Sequence, residues 1–325
     1  DESMKSVQTG ITRRGSRCGS TDRSKKKRGT KESMITDQFG KKWYKGNLHT
    51  HSTNSDGRLS PEEVIGLYRE EGYDFLALTD HWFMGEERQE ENFLLLSGAE
   101  YDVGNNIRDG IYHVVGIGMQ KEPKLEKGPE LQEKQAQLMI DRIHEAGGIA
   151  ILAHPAWSMN RASEVRLLKD LDGCEIYNTT SGVPWNCRPY SGIILDELAA
   201  QGYVLPCMAA DDAHQYTGDE TKSYLMVQAD ELSRDAILEA IAQGRFYASQ
   251  GPRFWIEKKD NSLIVHSTPV REIVFFTDAV WSDDRATVGE CVEEAVYETF
   301  VRVELKDAVG NRAWSNFYLT GKAVL

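Results

Sequence analysis

The stretch SPEEVIGLYREEGYDFLALTDH, residues 60–81, predicts a helix followed by a buried strand. Ser60, Pro61 and Glu63 are typical of a helix start, because serine caps the helix, proline suits its first position and glutamate can bond back to the cap. Gly72 ends the helix, since glycine readily adopts the left-handed conformation found there. The apolar run that follows is typical of a strand buried on both faces.

The same alternation of strand and helix patterns continues over residues 43–250. Strands alternating with helices predict an α/β domain built on a parallel sheet, and this number of units suits a barrel. Further strands are predicted at residues 92–100, 112–119, 149–155, 172–178 and 203–214, and further helices at 129–148, 191–202 and 233–244.

The pattern changes after residue 250. Apolar and polar residues now alternate, and turn signals occur at Asp260-Asn261 and Gly310-Asn311. No helical pattern lies between these strand-like segments. Residues 251–325 are therefore predicted to form a small, β-sandwich-like domain.

Residues 1–42 differ in charge from the rest of the chain. They carry 12 Lys/Arg and 5 Asp/Glu, whereas the remainder carries 26 and 46. This leader has few large apolar residues, so it is predicted to be disordered or to have been added to the natural chain. A nucleic-acid-binding arm is the alternative, although interleaved aromatic residues are missing. The leader also lacks the apolar core of a signal peptide.

Composition limits the location and the partners of the protein. The five cysteines are scattered and form no CxxC motif, which predicts a reduced, cytoplasmic chain. An exported form stays open if the natural N-terminus is missing. The sequence has no apolar run of the length of a membrane span, so no membrane partner is expected. The acidic body argues against long nucleic acid as a partner.

Histidines and carboxylates gather at the ends of the predicted strands. His49 and His51 lie one residue apart, so an extended chain would point both imidazoles to one face. In a parallel barrel, the carboxyl ends of the strands build the active site. A single histidine there is more often structural or solvated, but the joint pattern fits divalent metal ligation. The other polar residues at strand ends are Asp80, His81, Glu100, His154, Asp211, Asp212 and His214, whereas His113 opens its strand.

Residues 46–252 resemble the PHP family, which is named for its polymerase and histidinol phosphatase members. The matching segments, in the order of the family, are HTHSTNSDG, ALTDH, SGAE, HVVGIG, LAHP and ADDAH. The resemblance implies a distorted (β/α)7 barrel and metal-dependent hydrolysis of phosphoesters. It also implies two or three divalent metal ions, with zinc, manganese and iron as the candidates.

The resemblance assigns the ligands to three metal positions. The first would be held by His49, His51, Glu100 and Asp212. Glu100 would bridge to the second, which His113 and His154 complete. The third would be held by Asp56, His81 and His214. Asp56 stands where some members have histidine, and an oxygen ligand favours harder metals such as manganese or iron.

The implied reaction is attack on phosphorus by a metal-activated hydroxide at a trinuclear site. The expected catalytic residues are Glu100, beside the hydroxide, and Asp212 or a nearby histidine such as His214, which would move the proton. Asp80 and Asp211 adjoin ligands and are expected to orient histidines. Residues expected to contact the phosphate are Arg161, Arg188 and Lys222, each with a solvated surface cation as the alternative.

The substrate is expected to be a small phosphorylated metabolite or a nucleotide. Trp157, Trp185 and Tyr190 are candidates to stack on a base or sugar, and packing residues are the equal alternative. Two other functions stay open. One is a 5′-acting exonuclease on short oligonucleotides. The other is a metal-binding PHP module without turnover that serves a partner.

Overall fold

The computed structural model describes residues 34–126, 128, 131–260, 262–278, 286–287, 291–295 and 299–319. Most of the predicted leader, residues 1–33, lies outside this range. The remaining leader residues begin regular structure earlier than expected, because Ile35–Thr36 pairs antiparallel with Lys42–Trp43. Asp37 closes the intervening turn by accepting the backbone N–H groups of Phe39 and Lys41.

The described chain contains 20 strands and 6 helices. The strands are β1 (Ile35–Thr36), β2 (Lys42–Asn47), β3 (Phe75–Ala77), β4 (Arg88–Glu90), β5 (Phe93–Leu96), β6 (Gly98–Val103), β7 (Tyr112–Ile117), β8 (Ile149–Leu152), β9 (Gly173–Asn178), β10 (Cys207–Ala210), β11 (Tyr224–Gln228), β12 (Phe246–Ser249), β13 (Phe254–Lys259), β14 (Ser262–Ser267), β15 (Glu272–Thr277), β16 (Ala286–Thr287), β17 (Cys291–Ala295), β18 (Phe300–Lys306), β19 (Arg312–Trp314) and β20 (Tyr318–Leu319). The helices are α1 (Pro61–Glu70), α2 (Gln132–Glu145), α3 (Pro155–Ser158), α4 (Ala162–Val165), α5 (Gly192–Ala200) and α6 (Arg234–Ala242).

Helix α1 has the boundaries that the sequence predicts. The Ser60 backbone N–H donates to Glu63 Oε2 at 2.9 Å, and the reciprocal bond of the capping box is also present. Gly72 follows the helix with φ +74°, in the left-handed region. The buried face of α1 packs on the strand after it, so this helix–strand unit is confirmed.

The strands form three sheets. The largest has 12 strands in the order β16-β15-β18-β19-β12-β11-β2-β3-β5-β4, with β1 on β2 and β20 on β18. A second sheet has the order β10-β9-β8-β7-β6, and a third has the order β13-β14-β17. Pairing of β19 with β12 carries the largest sheet across the predicted boundary at residue 250. The division into two domains there stays a prediction.

Strand directions are mixed rather than wholly parallel. Strands β2, β3 and β5 are parallel, as are β8, β9 and β10. Strand β7 runs antiparallel to both β6 and β8, so the prediction of a parallel sheet is wrong for β7. This reversal has a consequence for His113. The start of β7 lies beside the carboxyl ends of its neighbours, so His113 reaches the same edge as the other candidate ligands.

The single strand predicted at residues 92–100 is in fact two strands in different sheets. The strand is interrupted at Ser97, whose hydroxyl donates to the Met119 carbonyl at 2.7 Å. At Gly98 the chain passes the Leu78 carbonyl so closely that a Cβ would lie 2.8 Å from the oxygen. The apolar run could not reveal this break, because both halves are equally buried.

Two isolated parallel bridges connect the two larger sheets. Thr50 pairs with Ala213, and His81 pairs with Glu100. The ladders among the described residues do not close a barrel, so the architecture is mixed α/β with several sheets. Both bridges involve residues next to, or among, the candidate ligands. The junctions between the sheets therefore bring the ligand-bearing loops together.

Trp314 of β19 anchors the C-terminal strands in the main core. Its side chain is fully buried and stacks on Tyr177 of β9 with ring centroids 5.3 Å apart. We expect Trp314→Ala to lower the free energy of unfolding by about 3–5 kcal/mol, the usual cost of removing a buried tryptophan. Urea denaturation measures this loss. Val309→Ala, at a position 83% exposed, is the control and should change it by less than about 0.5 kcal/mol.

Candidate metal centre

The nine candidate ligands meet at one edge of the two larger sheets. Seven of these ligands lie in the loops that follow the carboxyl ends of strands β2, β3, β8 and β10. Strands β6 and β7 contribute Glu100 and His113 from within the strand. Seven of the nine line a cleft of about 330 Å³, whereas His49 and His51 are buried and contact Glu100 and Asp212.

The first predicted ligand group is compact. His49 Nε2 lies 3.2 Å from both Glu100 Oε2 and Asp212 Oδ1. His51 Nε2 lies 3.1 Å from the same two oxygens. Ligands held tetrahedrally at about 2.0–2.2 Å from an ion are roughly 3.4 Å apart. The four nitrogen–oxygen distances are close to this value, and all four ligand atoms lie within 4.8 Å of one another, as a single divalent ion would require.

Several candidate ligand atoms are buried without a hydrogen-bond partner. They are His49 Nε2, His51 Nε2, His81 Nδ1 and Asp212 Oδ1. Such groups cost about 1–3 kcal/mol each when unsatisfied. Burying these atoms together therefore costs folding free energy, and a cation that accepts their lone pairs would remove this cost. The residues present therefore fit a divalent metal.

Glu100 stands between the first group and the second. Its Oε2 faces His49 and His51, whereas its Oε1 lies 2.7 Å from His113 Nδ1 and 3.3 Å from His154 Nε2. This is the arrangement that a bridging carboxylate requires. His81 also approaches Glu100, since its Nδ1 is 3.5 Å from Oε2, and ligand atoms of His81, Glu100 and His113 lie within 4.8 Å of one another.

The third predicted group is also assembled. Ligand atoms of Asp56, His81 and His214 lie within 4.8 Å of one another, and His51 belongs to the same group. His214 Nε2 is 3.5 Å from Asp56 Oδ1. The other ring nitrogen of His214 lies 2.7 Å from the Asp212 carbonyl oxygen. This contact leaves Nε2 directed toward Asp56.

Charges in the cluster compensate one another. Burial alone would lower the pKa of His49, but Asp212, Glu100 and Glu175 outweigh it and hold that pKa well above its ordinary value. Burial would raise the pKa of Glu100, but the surrounding imidazoles, His49 first, hold it well below its ordinary value. A metal ion binds an imidazole nitrogen only after the proton on that nitrogen has left. Metal binding should therefore release protons.

Two candidate ligands have strained backbones. His154 has φ +28° and Asp212 has φ +54°, in or near the left-handed region, which costs non-glycine residues about 1–3 kcal/mol. Hydrogen bonds hold both residues in place. The His154 N–H donates to Glu175 Oε2 at 2.8 Å, and the Asp212 N–H donates to the His49 carbonyl at 2.8 Å. Strain of this kind is typical of functional sites.

Glu175 was not predicted from the sequence. It lies in β9, is 1% exposed, and accepts a hydrogen bond from His49 Nδ1 at 2.7 Å. The available signal was a charged residue inside the otherwise buried strand GCEIYN. A buried carboxylate needs partners, so its presence there pointed toward the polar cluster.

Asp80 and Asp211 make no direct hydrogen bond to a histidine ring among the described residues, and their predicted role in orienting histidines stays a prediction. Asp80 accepts from the Ser52 backbone and hydroxyl, each at 2.7 Å, and from the Ser55 hydroxyl. Asp211 accepts from the Tyr68 hydroxyl and from backbone N–H groups after β10, including that of Ser223. Both carboxylates hold loops that carry ligands, and Asp80 reaches the His51 ring through Ser55, whose hydroxyl lies 3.4 Å from His51 Nδ1.

The three cations expected to contact phosphate do not line the cleft. Arg161, Arg188 and Lys222 are exposed, and their described roles are backbone hydrogen bonds in the ligand-bearing loops. Their contact with substrate stays a prediction. The cleft lining that the structure describes contains no lysine or arginine and offers mainly neutral groups beside the ligands, which are Trp157, Thr180, Ser181, Trp185, Asn186 and Gln215.

The three aromatic candidates divide between the cleft and the core. Trp157 and Trp185 line the cleft. The Trp157 ring packs edge-on against His113 and His154, with centroids 5.6 and 5.0 Å apart. Tyr190 instead donates its hydroxyl to Glu304 at 2.8 Å and acts as a packing residue.

No protein-family model matches the chain. A 5′-3′ exoribonuclease of Haemophilus influenzae is 34% identical over 114 residues, which is 32% of this chain. The match spans 41% of that protein's length. An uncharacterised protein of Methanocaldococcus jannaschii is 25% identical over 146 residues, covering 41% of this chain and 81% of that protein.

A solved structure shares the fold over nearly the whole chain. It is a two-domain protein of Bacteroides vulgatus described as containing a predicted PHP-like metal-dependent phosphoesterase. The match has a TM-score of 0.52 at 15% identity and covers 90% of this chain and 98% of that protein. The chain therefore has a PHP-like fold, which confirms at this level the resemblance carried by the six motifs.

The helices of the described residues are too short or too polar to cross a membrane.

Proposed function

We propose that the protein is a metal-dependent phosphoesterase of the PHP family. Its substrate would be a small phosphorylated metabolite or a nucleotide, hydrolysed at a trinuclear site. The observation that carries the proposal is the convergence of buried, unpartnered ligand atoms from His49, His51 and Asp212 beneath an open cleft. The PHP-like fold supports the same conclusion.

The three ligand groups would each hold one divalent ion. His49, His51, Glu100 and Asp212 would hold the first. When bound, such ions neutralise phosphate charge and lower the pKa of a water molecule toward neutral. Zinc, manganese and iron all suit these mixed nitrogen and oxygen donors, and Asp56 favours manganese or iron at the third group. The second and third groups would be completed by Glu100, His113 and His154 and by Asp56, His81 and His214.

The proposed catalytic residues are Glu100, Asp212 and His214. Glu100 directs one oxygen to each of two ligand groups and so fixes their separation. Asp212 Oδ1 lies 3.5 Å from His214 Nδ1, and both residues line the cleft. The proposed role of one of them is to move the proton of a nucleophile held there, and the choice between them stays open.

The charge distribution explains why cations are needed. Residues 43–325 carry 46 Asp/Glu against 26 Lys/Arg, which repels a phosphate. The described cleft lining has no lysine or arginine to offset this charge. Bound metal ions would be the largest positive charges at the site, and such ions often dominate a local field.

Two alternatives remain as proposals. Similarity to the Haemophilus exoribonuclease favours a 5′-acting exonuclease on short oligonucleotides. A cleft of about 330 Å³ is near the lower limit for ligand sites and suits one nucleotide better than a long chain. The other alternative is a metal-binding module that serves a partner without turnover.

We also propose that seven strands form the distorted (β/α)7 barrel of the PHP family. Five of these strands, β6 through β10, are already joined by ladders in one sheet, and the other two, β2 and β3, are joined in another. The bridges Thr50–Ala213 and His81–Glu100 supply the two connections that would complete the ring. A cytoplasmic location is likewise a proposal, which rests on the scattered cysteines.

The proposed activity is tested with metal-reconstituted protein and a panel of chromogenic monoesters, diesters and short oligonucleotides. We expect hydrolysis by the wild type and by His144→Ala, because His144 lies on α2 and bonds to Asp172 outside the cleft. His51→Ala should be inactive. Equal background rates for wild type and His51→Ala with every metal would contradict the proposal.

Trp185 provides a test of nucleotide binding. We expect Trp185→Ala to raise KM for a nucleoside monophosphate about tenfold with little change in kcat, because base stacking is worth about 1–3 kcal/mol. KM for an acyclic polyol phosphate, which offers no ring to stack, should stay unchanged, which makes this substrate the control. An unchanged KM for the nucleotide would show that Trp185 is a packing residue.

A further inference from the structure

A buried polar pair lies beneath the candidate ligands on β9. Glu175 is 1% exposed and Asn178 is fully buried. Asn178 Nδ2 donates to Glu175 Oε2 at 2.8 Å. We propose that Glu175 and Asn178 are positioning residues of the metal centre: Glu175 fixes the tautomer of His49, and Asn178 orients the Asp212 carboxylate. This inference rests on the proposed function.

Three donors converge on Glu175. His49 Nδ1 meets Oε1 at 2.7 Å, whereas the His154 N–H and Asn178 Nδ2 both meet Oε2 at 2.8 Å. This arrangement suits a carboxylate, which accepts at both oxygens and donates at neither. A neutral His49 must therefore carry its proton on Nδ1.

The tautomer determines where the lone pair of His49 points. With the proton on Nδ1, Nε2 is the free donor atom. That atom lies 3.2 Å from Glu100 Oε2 and 3.2 Å from Asp212 Oδ1, inside the first ligand group. A carboxylate on the far nitrogen of a ligand histidine fixes the ring and raises its basicity. Glu175 therefore prepares His49 for a metal.

Asn178 acts on the opposite side of the same group. Its Oδ1 accepts the Ser181 N–H at 2.9 Å, so its Nδ2 faces Glu175 and also Asp212 Oδ2 at 3.2 Å. This bond engages one oxygen of Asp212 and leaves Oδ1 directed toward His49 and His51. Ser181 lines the cleft, so the pair also connects the ligands to the cleft wall.

Glu175→Gln is a near-isosteric test of this assignment. If the amide oxygen stays with His154 and Asn178, the amide NH2 faces His49 Nδ1 and requires the opposite tautomer. If the amide is reversed, NH2 meets two donors. The first arrangement puts the proton of a neutral His49 on Nε2, and the second keeps the ligating tautomer only at the cost of an NH2 group that faces two donors. We expect Co²⁺ affinity to fall about 10–100-fold, the usual effect of losing such a partner.

The measurement is titration of the metal-free protein with Co²⁺, followed by visible absorption and without substrate. Glu304→Gln is the matched control, because Glu304 is also a buried glutamate but pairs with Arg302 and Arg312 away from the cleft. It should leave the Co²⁺ affinity within about twofold. Glu175→Asp, which keeps the acceptor, should recover part of the lost affinity.

The outcomes separate this inference from the proposed function. A wild type that binds no Co²⁺ overturns the metal centre and the inference with it. If the wild type binds Co²⁺ and Glu175→Gln binds it equally tightly, the inference is wrong but the metal centre stands. Should the variant not fold, ¹H–¹⁵N correlation spectra of Zn²⁺-loaded wild type decide. A protected proton on His49 Nδ1 is expected, and a proton on Nε2 contradicts the assignment.

Discussion

Alanine in place of Asp212 should lower kcat/KM for phosphoester hydrolysis at least 10²–10³-fold, roughly the loss seen when one preorganised electrostatic contact is removed. Asp212 Oδ1 contacts both His49 and His51, and its side chain is among the cleft lining. Removing it takes away a ligand and a candidate proton acceptor together. The same loss should occur in Asp212→Asn, which keeps the shape but not the charge.

Steady-state kinetics on metal-reconstituted variants measure this effect, with circular dichroism to confirm that each variant folds. Asp235→Ala is the control, because that carboxylate lies at the start of α6 and its side chain is 89% exposed. The control should match the wild type. An Asp212→Ala protein that retains activity within about threefold of wild type would remove Asp212 from the proposed site.

Removal of metal by a chelator should abolish hydrolysis and lower the melting temperature by several degrees. A ligand present at 1,000 times its Kd stabilises a folded protein by about 4 kcal/mol. The unpartnered atoms of His49, His51 and Asp212 supply the physical reason, because a cation satisfies them together. Added Mn²⁺ or Zn²⁺ should restore both properties. A melting temperature and activity indifferent to chelator would contradict the account.

The affinity for metal should also rise with pH. Burial would lower the pKa of His214, but its hydrogen bond to Asp56 and the charge of Asp212 outweigh burial and raise it to about 9. Below that pH the imidazole holds a proton that metal must displace, so binding weakens as pH falls. Thermal shifts with Mn²⁺ between pH 6 and pH 9 measure this trend, and a constant shift would contradict it.

Local sequence signals predicted the elements whose ends they mark. Ser60, Glu63 and Gly72 defined α1 because capping depends on neighbouring residues alone. The reversal of β7 and the break at Ser97 were missed for the opposite reason. Both depend on contacts across the sheets, and an apolar run carries no information about strand direction or about which sheet it joins.

The candidate ligands were accessible from the sequence because motif order and strand ends both identify them. The supporting residues were not. Glu175 has no sequence neighbour among the ligands, and its contact with His49 spans 126 positions. Arg161, Arg188 and Lys222 do not line the cleft, although their loops carry ligands, because a position in a loop does not determine where a long side chain points. Nothing in the sequence favoured Trp157 over Tyr190 as a stacking residue, and only the packing in the structure distinguishes them.

Anomalous diffraction from crystals of the Mn²⁺- or Zn²⁺-loaded protein tests the central claim most directly. We expect two or three peaks within the ligand groups, the strongest among His49, His51, Glu100 and Asp212. A neighbouring peak should lie on the other side of Glu100. Loaded crystals with no anomalous peak among these side chains would contradict the proposed metal centre and, with it, the proposed phosphoesterase.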